Sequence, residues 1–200
     1  MKKTTAILLL ISISLIIKTT AQPVLKTPAP SPLQTVTQAF GLGEVKIEYS
    51  RPGVKNRIIF GELVPFGKIW RTGANSSTKI TIGDDIKIGG TPVAAGTYAI
   101  YTIPGQGEWD VMLYKDLKMG GDVGEYKAEN ELMRFKVKPV PMNDKMENLT
   151  IAFNDLANST CNLCFFPHQI KITSRISQII KCNGQIFHFV IHCNWLHFKP

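Results

Sequence analysis

A two-residue rhythm constrains this chain more than any other feature. Val45, Ile47 and Tyr49 alternate with Glu44, Lys46 and Glu48. Ile80 and Ile82 alternate with Lys79 and Thr81, and Ile86 and Ile88 follow across Gly83-Asp84-Asp85, a turn signal. Tyr98, Ile100 and Thr102 share one face, and Trp109, Val111 and Leu113 alternate with Asp110, Met112 and Tyr114. Met133, Phe135 and Val137 alternate with Arg134, Lys136 and Lys138, and Leu149, Ile151 and Phe153 close the series. Successive strand residues point to opposite faces, so each run describes a strand with one side in a core and the other in water. Gly41-Leu42-Gly43, Gly89-Gly90, Ala95-Gly96, Pro104-Gly105-Gln106-Gly107 and Gly120-Gly121 supply turns between them. Only Gly124 to Leu132 reads as helix, and it is short. The expectation is an all-β fold: an antiparallel β-sandwich or small barrel with at most one short helix.

The ends of the chain differ from this body. Lys2 and Lys3, the apolar run Ala6 to Ile17, and the small residues Thr19-Thr20-Ala21 follow the order of an export signal, with cleavage expected near Ala21. That run is shorter than the roughly 20 residues a membrane span needs. The mature chain is therefore expected to lack a membrane span and to work outside the cytoplasm, in the periplasm or extracellular space. Pro23, Pro28, Pro30 and Pro32 resist helix and sheet, which makes residues 22–33 a linker. The net charge of +8 comes from the ends. Between residues 22 and 155, 16 Lys and Arg face 15 Asp and Glu, so the body offers no dense basic face for nucleic acid.

A composition break falls near residue 157. All four cysteines (Cys161, Cys164, Cys182, Cys193) and all four histidines (His168, His188, His192, His197) lie beyond it, and all 15 acids lie before it. Three readings compete. Cys161-x-x-Cys164 with His188-x-x-x-His192 has zinc-ligand elements, but no second Cys-x-x-Cys. Export permits disulfides. A frameshifted segment would also account for the break, and that reading is preferred, with disulfides second and zinc last. The domain is then expected over 34–158, with 159–200 an atypical Cys/His-rich tail whose Ile186, Phe187, Phe189, Val190 and Ile191 form a sticky extension.

The body carries no histidine or cysteine from residue 22 to 160, which removes Ser-His-Asp triads, Cys-His dyads and histidine-based zinc sites from it. No metal or cofactor is expected. Two carboxylates, Glu48 and Asp110, remain as candidates for glycan hydrolysis if they approach each other, although exposed strand charges explain them more simply. The richest stretches are Glu48 to Pro52 and Trp70 to Asn75. Arginine offers paired donors to carboxylate or phosphate, and aromatic rings offer flat faces to sugars and cations. Tyr49, Arg51, Trp70, Arg71 and Asn75 are therefore the ligand-binding candidates. The competing structural account makes Trp70 core and has Arg71 and Asn75 bond loop carbonyls.

These stretches also carry a family resemblance. Glu48-Tyr49-Ser50-Arg51-Pro52, Lys55 to Gly61, Leu63 to Asn75, Ala95 to Tyr98 and Tyr101 to Gly105 resemble, in order, the exported bacterial family catalogued as domain of unknown function 2911. The resemblance covers about residues 30–156. Asn56 stands where the family usually has glycine, and the family usually continues past residue 157 with another apolar strand. The resemblance implies an exported β-rich domain and brings no established activity, so catalytic residues are unassigned. The functional expectation is an exported module that binds a small molecule, glycan or envelope partner through Arg51, Trp70, Arg71 and Asn75. The alternatives are a carboxylate-dependent hydrolase and a purely structural module.

Overall fold

The protein is described by a computed structural model. It describes residues 27–40, 42–119 and 123–179, and the short strands Lys181–Cys182 and Gln185–Ile186. The expected signal at 1–21, the first part of the linker, Gly41, Gly120-Gly121, Cys193, His188, His192, His197 and the run from Phe187 onward lie outside the described residues.

Two antiparallel sheets form a sandwich that is not closed into a barrel. The first contains β1 (Leu33–Phe40), β2 (Gly43–Ser50), β3 (Ala74–Ile82), β6 (Gly96–Ile103), β7 (Trp109–Tyr114) and β8 (Glu131–Val137), side by side in that order. The second runs β10 (Thr150–Ala157), β11 (Thr160–Phe166), β12 (Ile170–Gln178), β4 (Ile86–Ile88), β5 (Thr91–Val93), with β9 (Val140–Pro141) beside β12. β13 (Lys181–Cys182) and β14 (Gln185–Ile186) pair with each other. The chain changes sheets between β3 and β4, at Gly83-Asp84-Asp85. The β4–β5 hairpin turns on Gly89 (φ 57°) and Gly90 (φ 89°); a tight hairpin with both central residues at positive φ favours glycine there.

Alternation sets the core. Val45, Ile47 and Tyr49 of β2, Ile80 and Ile82 of β3, Ile100 of β6 and Trp109, Val111 and Leu113 of β7 pack against Ile86, Ile88, Ile151, Leu163, Phe165, Ile172 and Ile176 of the second sheet. β6 and β7 bury both faces: Ala99, Tyr101, Met112 and Tyr114 form a second cluster with Met119 on the side expected to meet water. The chain after β7 folds back over it. Tyr114 stacks on Tyr126, with ring centroids 5.6 Å apart, and its hydroxyl accepts the Lys127 N–H at 2.8 Å. The Tyr101 hydroxyl donates to the Met119 carbonyl. The expected helix is correspondingly reduced to two 3-10 turns, Val123–Glu125 and Ala128–Asn130, and Leu132 belongs to β8. β1 lies outside the expected runs: half of its sequence, LQTVTQAF, is polar and its apolar residues do not alternate, so its register comes from pairing with β2.

The expectation that residues 159–200 stand apart from the domain is corrected as far as Gln178. Cys161, Leu163, Phe165, Ile172 and Ile176 are all buried in the central core, at alternate positions of β11 and β12. The composition break thus falls at a turn inside the second sheet. Cys161 and Cys164 are free. Residues three apart on a strand face opposite ways: Cys161 points into the core, whereas Cys164 Sγ lies 3.7 Å from Thr173 Oγ1. The pair cannot share a zinc ion or a bond to each other in this conformation. Burial pushes the Cys161 thiol up to about 11, with Cys164 adding to the shift.

Two outcomes follow from this packing. Ile176, fully buried, should cost about 2–5 kcal/mol when cut to alanine, read as a lowered urea midpoint; a change near zero would separate β12 from the cooperative core. Cys161, protonated and buried, should resist a thiol reagent at pH 8 in the folded chain and react once urea unfolds it, as peptide mapping would record.

Candidate functional site

Of the five candidates from the sequence, Arg51, Trp70 and Arg71 lie on one long connection, residues 51–73, and Tyr49 and Asn75 flank it at the end of β2 and the start of β3. Tyr49 is core. Its hydroxyl accepts the Ile151 N–H at 2.9 Å, from the opposite sheet. Burial raises its phenol above the usual value, partly offset by that N–H and by Arg51. Arg51 also crosses between sheets: Nε donates to the Leu149 carbonyl at 3.2 Å and Nη2 to Thr150 Oγ1 at 3.3 Å. Asn75, at φ 57°, donates from Nδ2 to the Ser31 carbonyl and Ser50 Oγ. With the Arg51 N–H donating to the Pro32 carbonyl at 2.9 Å, this ties down the last residues of the expected linker.

Trp70 packs edge-on against Phe60 and Trp109, with centroids 5.8 and 6.5 Å away, and donates from Nε1 to the Gly73 carbonyl at 3.3 Å. Its backbone pairs with Thr102. Thr72 follows at φ 57°, a conformation that β-branched residues rarely adopt. Its neighbours hold it there: Thr72 and Thr102 hydroxyls are 3.2 Å apart, and Thr78 Oγ1 donates to the Thr72 carbonyl at 2.7 Å. A side chain at Gly73 would meet the Ser50 carbonyl at 3.1 Å and Thr78 Oγ1 at 3.2 Å. Trp70 and Asn75 thus behave as the structural account expected. Asn56 sits at φ 56°. Asparagine tolerates that left-handed region better than most residues.

Arg71 is the exception. Its Nε is buried with no hydrogen-bond partner. It lines the cleft described next, and its charge is the smallest of several influences on the Tyr101 phenol, which burial raises above its usual value and the Ser77 hydroxyl partly lowers.

Beside this connection lies a cleft of about 390 Å³, walled by Ile59, Leu63, Val64, Trp70 and Leu149 and reached by Arg57, Arg71 and His168. Arg57 is braced by its own loop, Nε donating to the Val54 carbonyl at 3.0 Å and Nη2 to the Gly53 carbonyl at 2.8 Å. His168 occupies the tight turn between β11 and β12 at φ 66°, and its Nδ1 is buried with no partner. His168 lies beyond residues 34–158, where the domain is expected to end. The β11–β12 hairpin brings it back, so imidazole is present at the site after all. No local pattern marks His168; only its place between two alternating runs hints at a hairpin.

The carboxylate pair does not assemble. Following the register, Glu48 is level with Tyr114, so Asp110 lies three strands across and four residues along. At about 4.8 Å per strand and 3.4 Å per residue, that is roughly 20 Å, against about 5–9.5 Å for a glycosidase pair. Glu48 pairs with Lys46 at 3.1 Å, and Asp110 lies 3.8 Å from Arg134. Among the described residues, no group of three or more His, Cys, Asp or Glu is placed to hold a metal, and no helix is long and apolar enough to cross a membrane.

The family profile described as "Protein of unknown function (DUF2911)" matches residues 31–175. The chain belongs to this family. The match runs beyond residue 156 and takes in β11, His168 and most of β12, in keeping with the sheet they complete. No curated protein and no solved structure matches the chain.

Tyr49→Phe should leave the Ile151 N–H unpaired in the core and lower stability by about 1–3 kcal/mol, measured by urea unfolding. An unchanged midpoint would mean that this bond between the sheets is dispensable.

Proposed function

We propose that this domain is an exported small-molecule-binding module, and that its ligand occupies the cleft between the 51–73 connection and the β11–β12 turn. The single observation behind this reading is the cleft itself. At about 390 Å³ it falls at the small end of the roughly 300–1,000 Å³ of ligand sites, and it has their usual make-up, an apolar wall with a few polar groups. A purely structural module would be expected to present a flat surface around Trp70. A hydrolase working through Glu48 and Asp110 is disfavoured by their separation.

The contact group shifts relative to the sequence expectation. Trp70 and Arg71 remain at the site, Arg57 and His168 join them, and Arg51, Asn75 and Tyr49 support the walls from behind. Binding an envelope partner instead would need an exposed face rather than a recess.

A glycan and metabolite panel, screened by thermal shift on the full-length chain, should yield at least one compound that raises the melting temperature. Leu63 is exposed and lines the cleft. Leu63→Trp should fill it and remove that shift, leaving the free protein's melting temperature nearly unchanged. A silent panel, or a shift that survives the substitution, would overturn this reading.

A further inference from the structure

The cleft has a sign. Arg57 and Arg71 line it, and no aspartate or glutamate does. Glu147, beside Gly53, already accepts the Lys55 N–H at 2.9 Å. Buried polar atoms are nearly always paired, so an orphan invites explanation. Here there are two on cleft residues, Arg71 Nε and His168 Nδ1. Arginine nitrogen can only donate, and imidazole Nδ1 donates whenever it carries a proton. Both side chains thus favour an acceptor nearby, and a charged acceptor most of all. Arg57, held by two loop carbonyls, offers a guanidinium whose orientation is set before any ligand arrives. Facing these groups are the hydrocarbon of Leu63 and Val64 and the indole of Trp70.

Resting on the reading of the cleft as a binding site, we propose that its ligand is a small organic anion, a carboxylate or phosphate monoester, with an apolar body. The anion is held by Arg57 and His168 in the field of Arg71, and the body lies against Leu63, Val64 and Trp70. Charge-assisted hydrogen bonds are stronger than neutral ones. The same body bearing a neutral or cationic head should therefore bind worse.

The test is calorimetric titration of the full-length chain with four probes that share a phenyl body: phenylacetate, phenyl phosphate, phenylacetamide and phenethylammonium. At least one anion should bind about tenfold tighter than the amide, equivalent to about 1.4 kcal/mol, with the ammonium weakest. Whichever anion wins separates carboxylate from phosphate as the natural head group. His168→Gln and Arg57→Gln should each weaken the anion about tenfold and change the amide by less than about twofold. Because Arg57 also braces its loop, Leu63→Glu provides an independent variant: both probes lose the Leu63 wall, but the added carboxylate repels only the anion, so the anion's advantage over the amide should fall about tenfold. An amide or ammonium that binds as tightly as both anions would overturn the anion assignment while leaving the small-molecule site standing. If all four are silent, the charge of the compound found in the metabolite panel decides, an anion supporting the assignment and a neutral or cationic compound ending it. An empty panel ends both readings together.

Discussion

The structure depends on a seam where the two sheets meet at one end. Residues 49–54 leave the first sheet and run beside residues 147–151 of the second. Tyr49 accepts the Ile151 N–H, Arg51 donates to Leu149 and Thr150, and the Leu149 N–H donates to the Pro52 carbonyl at 3.0 Å. Gly53 bridges Asn148, and the Val54 N–H donates to the Glu147 carbonyl at 2.8 Å. Open sandwiches leave backbone groups unpaired where their sheets diverge, and buried ones must find partners. Here the seam supplies them and sets the separation of the sheets at that end.

The cleft is a consequence of the seam. The 51–73 connection turns back repeatedly, with Lys55, Asn56, Gly61, Gly67 and Thr72 all at positive φ, and returns to the first sheet only at Trp70, through its pairing with Thr102. A loop this long cannot pack all of its surface against the sandwich. What remains open is bounded by the loop on one side and by the β11–β12 turn on the other. The Trp-Arg-Thr-Gly-Ala-Asn stretch then reads as scaffold more than contact surface. Trp70 fills a three-ring cluster, Thr72 and Gly73 form a close turn against Ser50 and Thr78, and Asn75 fastens Ser31. Arg71 alone keeps an unspent buried donor.

Much of the fold was legible in the sequence because period two has one common physical meaning. Val45-Ile47-Tyr49 and Trp109-Val111-Leu113 face inward as their spacing demands. The same logic failed at Met112 and Tyr114, because alternation reports polarity contrast, and a residue such as methionine opposite valine offers none. What covers that second face is the segment after Tyr114, and no local signal says where it will lie. Composition misled in a different way. The loss of acids after Asp155 suggested that the domain had ended, yet packing responds to the pattern of apolar residues. Leu163, Phe165, Ile172 and Ile176 keep that pattern through the break.

The sequence by itself determined the class of fold, most core positions, the sites of several turns and the family. These depend on nearest-neighbour geometry: side-chain alternation, glycine's freedom and the order of short motifs along the chain. Only the tertiary structure decided that Glu48 and Asp110 lie far apart, that Tyr49 and Arg51 join the sheets, and that Arg57 and His168, 111 positions apart in the numbering, meet at one cleft. Those facts depend on which strands lie side by side. Strand pairing and sheet packing sum many weak contacts between residues distant in the chain, so no local stretch encodes them.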